Sequence, residues 1–475
     1  MNYGVFLNKD DQRCYSLLKY LEKSVTLSES LLKIQEDMGF SSFILKKTIE
    51  KTQEDIEQLG LEESFNLSAS EGELTLEIDG NYSSKVLLSH YIANSLGMGL
   101  VISFFKRNYR SMEEFAEKNH VSYSVAYSTL QQLKKNLKKY QIFFEKKKLT
   151  GNQKNINLFL YNLFSITNLS YKELYTVRTI REAKQLMETL SEKYVFTAFE
   201  QKKLFHYLAI FIENDGKMNT EIDAGVTSFF NEICFQEFQF FYPKASKTFT
   251  YSMIFWLYLH GKLAENCVNI DSNEEINKLN QQFISSFEEK FTELNGTIKK
   301  TLQEELSKIH FNVLYYPIDI FEQFEMNITF FKQNYPEFYF HSLEYVNQKS
   351  KESERLEKVK VFLFFNYLML LITQMPIHLV NKPINILIDF SYGEGYNRFI
   401  KKNLEFYVNL NVSVIDPEAA TQPDIVITNV NNLYHDEAVN VVVWLDPPRS
   451  VDWVNLTNVM LEIKKAEYEE KIENT

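Results

Sequence analysis

One change of rhythm constrains this chain more than any other feature. Across residues 169–383 apolar side chains recur about every 3.6 positions, as in "RTIREAKQLMETLSEKY", "QKKLFHYLAIFIEN" and "KVKVFLFFNYLMLLITQM". Each such segment buries one stripe of a helix, and a long succession of them builds helical bundles. After Pro383 the rhythm breaks. Short apolar runs, "INILIDF", "VSVID", "DIVITNV" and "NVVVWLD", alternate with helical segments. That pattern predicts a small parallel α/β unit. A chain of 475 residues carrying both patterns is multidomain and mainly α. The 14 Gly and 9 Pro are few for this length, which also favours helices over a turn-rich β architecture. The bundle region is long enough for two bundles, divided in the polar stretch 271–280.

Charge identifies a second feature. The net charge is −12, which argues against a nucleic-acid partner for the chain as a whole. It is unevenly spread. Residues 101–154 hold twelve Lys and Arg against four Glu, whereas residues 1–100 hold nine basic against sixteen acidic residues. A basic island in an acidic protein is a local footprint for phosphates. Within it lies "SMEEFAEKNHVSYSVAYSTLQQLKKNLKKY". Ser111 and Glu114 fit a capping box, Asn119, His120 and Val121 make a short turn, and Ser122 caps a second helix. Ala126, Leu130, Leu133 and Leu137 form its apolar stripe. The opposite face offers Tyr123, Ser124, Tyr127, Ser128, Gln131, Lys134, Lys135 and Lys138. Hydroxyls and an amide near the helix start suit base edges, and lysines further along suit phosphates. Lys146, Lys147 and Lys148 follow as a prospective wing. The competing reading is a solvated helical hairpin inside a bundle; the charge asymmetry, cap and short turn favour DNA.

An earlier copy precedes it. "SESLLKIQEDMGFSSFILKKTIEKTQEDIEQL" reads as helix, turn at Met38-Gly39-Phe40, and a second helix with Leu45, Ile49, Ile56 and Leu59 inward. Ser42, Lys46 and Lys47 are its candidate DNA contacts, although Glu50, Glu54, Asp55 and Glu57 offset the lysines. "FNLSAS" and "ELTLEID" alternate around Glu71-Gly72 as a hairpin wing. Residues 1–80 are therefore read as a first, winged helix-turn-helix domain and residues 81–165 as a second. The bundles take residues 166–278 and 279–382, and the α/β domain takes residues 383–475.

Other chemistry is excluded or weak. Cys14, Cys234 and Cys267 are far apart with no C-x-x-C pair, which argues for a reducing compartment and against a zinc module or disulfide framework. The first residues contain no apolar signal core, and the apolar run 361–372 is short of the about 20 residues that span a bilayer. The expectation is a cytoplasmic protein without a membrane partner, with that run as a core helix. There is no H-E-x-x-H, G-x-S-x-G or P-loop, and "GEG" at residues 393–395 lacks the third glycine of a dinucleotide fingerprint. Asp389, Asp416 and Asp446 each end an apolar run and would hold Mg²⁺ only if they converged; aspartates also end strands simply because they start turns. No enzyme, cofactor or metal is expected.

The order of these parts resembles the Mga/AtxA family of transcriptional regulators of Gram-positive bacteria. Its most specific local piece is the helix-turn-helix at residues 111–137, and the remainder rests on domain order. The resemblance implies PTS-regulatory-domain-like bundles, which accept phosphate on histidine from the sugar phosphotransferase system, and an enzyme-IIB-like α/β domain. It implies promoter DNA, a homodimer formed through the C-terminal domain, and HPr or another PTS phosphodonor as partners. It also implies an activator answering carbohydrate or virulence signals. The alternative is a phosphotransfer protein with the helix-turn-helix pieces as scaffold.

A phosphoacceptor imidazole must be neutral and accessible. His206 in "KKLFHYLAIFIEN" resembles the family pattern, although Asn214 and Asp215 stand where an arginine often ends it. His310 in "LSKIHFNVLYYP" sits comparably in the second bundle, and His260 beside Gly261 is either a third acceptor or a helix cap. His341 and His378 are weaker candidates, and His90, His120 and His435 read as structural or surface residues. In enzyme IIB a cysteine ends the first strand; in "ILIDFSYGEGY" that position falls on Phe390, or on Asp389 one register away. Neither is a thiol, so the loop is expected to serve association, with Gly393 and Gly395 supplying turn geometry.

Overall fold

The computed structural model describes residues 3–24, 26–214, 222, 224–317, 328–404, 411–418, 421–431, 434 and 439–473. Asp215 and His435 lie outside the described residues. The chain is mainly helical, with three small sheets among the described residues, and it forms two compact units. The first comprises residues 1–269 with 316–323; the second comprises residues 270–315 with 324–475.

The first unit opens with helix Lys9–Lys23, which packs against helix Ser42–Gln58. Between them runs helix Leu31–Met38, capped by Ser30. Gly39 stops that helix at φ +66, with Gly39 N–H on the Glu36 carbonyl and Phe40 N–H on the Gln35 carbonyl. This closing pair of bonds is the Schellman arrangement, and it needs a left-handed residue where glycine stands. Ser41 then caps the next helix. Leu45, Ile49 and Ile56 are buried as expected, while Leu59 is only half-buried. Strands β1 (Ser28–Ser30), β2 (Phe65–Ser70) and β3 (Glu73–Ile78) form an antiparallel sheet in the order β1-β3-β2. The β2–β3 turn places Glu71 at φ +52 and Gly72 at φ +84, the two-residue geometry that matches strand twist.

Helices Lys85–Ala93 and Leu96–Phe105 lead to the second helix-turn-helix. After it come β4 (Ile142–Glu145) and β5 (Lys148–Gly151), an antiparallel hairpin. Helices Gln153–Ser165, Val177–Ser191, Ala198–Asn214, Glu232–Phe241 and Lys247–Leu259 form the aromatic bundle of this unit. Two of its buried ring donors are paired inside the core. Trp256 Nε1 donates to Tyr161 Oη at 3.3 Å, and Tyr207 Oη donates to the Ser252 carbonyl at 2.7 Å.

The second unit begins with helices Glu274–Lys290, Gly296–Tyr315, Pro336–Glu352 and Lys360–Gln374. The last of these carries the apolar run of the sequence, with Phe362, Leu363, Tyr367, Leu368, Leu370 and Leu371 buried. Among the described residues no single helix is long and apolar enough to cross a membrane. Strands β6 (Ile384–Asp389), β7 (Val412–Ile415), β8 (Ile425–Thr428) and β9 (Asn440–Val443) then form a parallel sheet in the order β7-β6-β8-β9. Helices Glu394–Leu404 and Ser450–Glu473 accompany it. Ile384, Ile386, Ile388, Ile400, Leu456 and Met460 meet in its core.

Candidate nucleic-acid interface

The second helix-turn-helix is built by its own short-range chemistry. Ser111 Oγ accepts the Glu114 N–H at 3.2 Å and starts helix Met112–Lys118. Only this half of the expected capping box forms, because the Glu114 carboxylate turns to Arg110 at 3.5 Å. The helix ends as the first unit's Gly39 helix does. Val121 N–H bonds the Ala116 carbonyl and His120 N–H bonds the Glu117 carbonyl. Here the left-handed position is His120, at φ +55. Ser122 Oγ then accepts the Val125 N–H at 3.4 Å and opens helix Tyr123–Leu137.

Ala126, Leu130, Leu133 and Leu137 are buried, as the apolar stripe requires. Ser122, Tyr123, Ser124, Tyr127, Ser128, Gln131, Lys135 and Lys138 are exposed, and Lys134 is half-buried. At 100° per residue these positions from Tyr123 onward occupy one continuous side of the helix. Tyr123 and Tyr127 stack with ring centroids 5.9 Å apart and 10° between planes. Ser122 and Ser124 hydroxyls share a hydrogen bond of 3.0 Å. The first turn thus presents a flat pair of rings, two hydroxyls and the positive end of the helix dipole.

The lysines carry the electrostatics. Among the described residues, Lys134, Lys135 and Lys138 have no carboxylate within ion-pair distance, and neither do Lys146, Lys147 and Lys148. The last three form the tip of the β4–β5 hairpin, so a hairpin does follow helix Tyr123–Leu137. Its anchor is tight. Asn155 Nδ2 donates to the Tyr140 carbonyl at 2.8 Å, and Gly151, at φ +113, lies so close to Gln141 that a Cβ there would stand 2.0 Å from its carbonyl oxygen. Lys146 and Lys147 both adopt positive φ, +46 and +60.

The first helix-turn-helix is arranged differently. Ser42, Lys46 and Lys47 are exposed on helix Ser42–Gln58. Ser42 Oγ donates to Gln35 Oε1 at 2.8 Å. Lys46 pairs with Glu50 at 3.7 Å and Lys47 with Asp10 at 3.4 Å. Lys51 is drawn inward between Asp11 at 3.1 Å and Asp55 at 2.6 Å, where Asp55 also accepts from Tyr91 Oη at 2.6 Å. Burial pushes the Asp11 carboxyl up, against the pull of Lys51. Beside these charges Phe43 and Leu32 are exposed. This face carries less unopposed positive charge than the second one.

Three histidines, His206, His310 and His341, lie inside the bundles. His206 Nδ1 shares a hydrogen bond of 2.8 Å with Tyr175 Oη, and burial, aided by the Lys202 ammonium, pulls its pKa down to about 3. His310 is bonded on both nitrogens, Nδ1 to Asn280 Oδ1 at 2.6 Å and Nε2 to Tyr367 Oη at 2.7 Å, and burial lowers its pKa to about 3. His260 is the C-cap of helix Lys247–Leu259, half-buried, stacked on Trp256 and bonded through Nδ1 to the Trp256 carbonyl at 2.7 Å. His341 is buried among Phe283, Phe287 and Phe291, and His378 is exposed.

The loop after β6 is filled by its own side chains. Phe390 is buried, its N–H donates to Asn397 Oδ1 at 3.0 Å, and Ser391 N–H donates to Asn429 Oδ1 at 2.9 Å. Two of the loop's amides are therefore occupied. Gly393 adopts φ +79, whereas Gly395 sits in the first turn of helix Glu394–Leu404 with no such demand. Asp389 accepts from Tyr434 Oη at 2.6 Å and Asp446 from Asn429 Nδ2 at 2.7 Å, while Asp416 is exposed. Among the described residues no three His, Cys, Asp or Glu side chains are placed to hold a metal ion.

Comparison with curated proteins finds no match. The segment that contains helix Tyr123–Leu137, the short turn before it and the lysine-tipped hairpin does match a known family: residues 80–164 fit the family model of the Mga helix-turn-helix domain.

Proposed function

We propose that the chain is a DNA-binding transcriptional regulator of the Mga type, which reads promoter DNA with helix Tyr123–Leu137 and holds the backbone with the β4–β5 wing. The observation that carries this reading is the continuous arc from Tyr123 to Lys138, exposed apart from half-buried Lys134, free of carboxylate partners among the described residues and followed by Lys146, Lys147 and Lys148. Polar side chains near the helix start meet base edges, and the lysines neutralise phosphates on either side. Ser42, Lys46 and Lys47 of the first domain make a secondary contact, weakened by Glu50 and Asp10. The chain acts as a regulator rather than a catalyst.

The bundles and the α/β domain supply the regulation in this proposal. Phosphorylation of His206, His310 or His260 by HPr or another PTS phosphodonor would add a charge of about −1.5 to −2. At His206 and His310 that charge enters a sealed, hydrogen-bonded core, so transfer requires the bundle to open. His260 is the most accessible of the three. Dimerisation through the C-terminal, enzyme-IIB-like domain would pair two reading heads on one operator. Val441 and Val443 on edge strand β9, with Leu445, Val451 and Val454 nearby in sequence, are exposed apolar side chains suited to that role.

Selection of bound fragments from a promoter library by the full chain tests the central part. A shared sequence motif that disappears with Gln131→Ala and Tyr127→Ala is expected. Recovery of random fragments by wild type and variants alike would leave the helix as scaffold. Transfer of labelled phosphate from phosphorylated HPr, with His206, His260 and His310 replaced singly, tests the regulatory part separately.

A further inference from the structure

Widely spaced cysteines read as unrelated thiols, yet two of them meet in the fold. The segment before helix Glu232–Phe241 runs antiparallel to the segment around Val268. Asn231 N–H donates to the Cys267 carbonyl at 3.0 Å, and Asn269 N–H donates to the Phe229 carbonyl at 2.8 Å. Asn231 Nδ2 adds a bond of 2.5 Å to the Asn266 carbonyl. This short ladder sets Cys234, in the first turn of the helix, near Cys267, whose side chain helps raise the Cys234 thiol. Cys234 is buried and Cys267 is half-buried, so Cys267 is the more accessible of the two. Cys14 is buried in the first domain, where it donates to the Thr48 carbonyl at 3.8 Å.

We propose that Cys234 and Cys267 form a thiol pair that a hydroperoxide oxidises to an intramolecular disulfide, with Cys267 attacked first and Cys234 resolving. The Cys267 thiolate attacks one peroxide oxygen; the O–O bond breaks, and the departing hydroxide takes a proton and leaves as water. Cys267 becomes a sulfenic acid, oxidised by two electrons, and the peroxide is reduced. The Cys234 thiolate then attacks the Cys267 sulfur. The S–S bond forms, the S–O bond breaks, and hydroxide leaves as a second water with the proton Cys234 gave up. One hydrogen peroxide and two thiols thus yield one disulfide and two waters. Burial and the neighbouring sulfur push the Cys234 thiol up, which suits a second, slower step. A cytosolic thiol pool returns the pair to the reduced state, so the bond reports transient oxidant exposure. The bond would tie the start of helix Glu232–Phe241 to the segment that follows helix Lys247–Leu259, within the bundle that carries His206 and His260.

The test uses the reduced full chain, freed of reductant and treated with a few equivalents of hydrogen peroxide. Remaining thiols are then alkylated under denaturing conditions and the peptides mapped by mass. A cross-linked peptide pair containing Cys234 and Cys267, two hydrogens lighter and reversed by dithiothreitol, is expected, with Cys14 fully alkylated. In Cys234→Ser, dimedone should trap a sulfenic acid on Cys267; in Cys267→Ser, Cys234 should stay alkylatable. Oxidation of Cys267 to the sulfinic acid with Cys234 untouched would overturn the proposal, as would a cross-link involving Cys14 or a second chain. The wild-type map decides the matter even if a serine variant folds poorly.

Discussion

Gln131 stands mid-way along the exposed arc, where a side-chain amide can make two hydrogen bonds to an adenine edge. Gln131→Ala should therefore weaken binding to the preferred site by about 1–3 kcal/mol and leave binding to random duplex nearly unchanged. Competition of the two duplexes in a fluorescence anisotropy titration measures both. The histidines lead to a different prediction at this scale. His206 and His310 are held neutral, with pKa about 3 against an ordinary 6.5. The unfolded chain takes up protons below about 6.5 and the folded chain does not, so protonation favours unfolding as pH falls from 6.5 towards 3. Above that window the stabilisation is fully present. Each buried imidazole makes stability fall by up to about 1.4 kcal/mol per pH unit. Urea unfolding at about pH 7.5 and about pH 5.5 should show the loss, and His310→Gln should reduce it, because one titrating group is gone.

At the scale of elements, the wing records a conflict. Two-residue hairpin turns favour Asn-Gly because both residues take positive φ. This one uses Lys146 and Lys147, whose Cβ atoms make that conformation cost about 1–2 kcal/mol each. Charge at the tip accounts for their presence if the tip lies along phosphates. The double variant Lys146→Asn/Lys147→Gly should raise thermal stability while lowering DNA affinity several-fold. Stability and affinity falling together would remove that explanation. Gly151→Ala should act in the opposite sense on folding, since its Cβ would collide with the Gln141 carbonyl and lift the wing from the reading helix. Elements of this kind were unequally legible. Both helix-turn-helix hairpins, the Glu71-Gly72 turn and the apolar stripe of helix Tyr123–Leu137 follow from local periodicity and caps, which depend on neighbours in sequence. The β4–β5 turn was suggested only by charge, because lysines are not turn formers. The meeting of Cys234 with Cys267, the pairing of Lys47 with Asp10, and the occupation of the β6 loop by Asn397 and Asn429 join distant segments and leave no local pattern. Glu114 shows the same limit in miniature: the capping-box spacing is present, yet Arg110 captures the carboxylate.

For the whole molecule, an acidic chain carries a local basic excess in residues 101–154, and on the proposed function that contrast governs how it would meet DNA. The net charge of −12 repels a polyanion at long range, whereas the lysines of residues 134–148 attract it locally. The proposed dimer would pair two such surfaces and strengthen the local term. Val441→Glu with Val443→Glu places two charges on the exposed face of β9, while Val442 remains buried on the other face. If the chain dimerises as proposed, sedimentation velocity should show the wild type as a dimer and the variant as a monomer, and DNA affinity should fall with it. An unchanged dimer would move the interface elsewhere. The most direct measurement for the central claim is the salt dependence of binding. The full chain should bind duplex DNA at low salt, with log K falling linearly against log salt concentration. Replacing Lys134, Lys135 and Lys138 by alanine should lower the steepness by about 0.9 for each lysine that neutralised a phosphate. No binding at low salt, or an unchanged slope in the triple variant, would contradict the assignment of helix Tyr123–Leu137 as the reading helix.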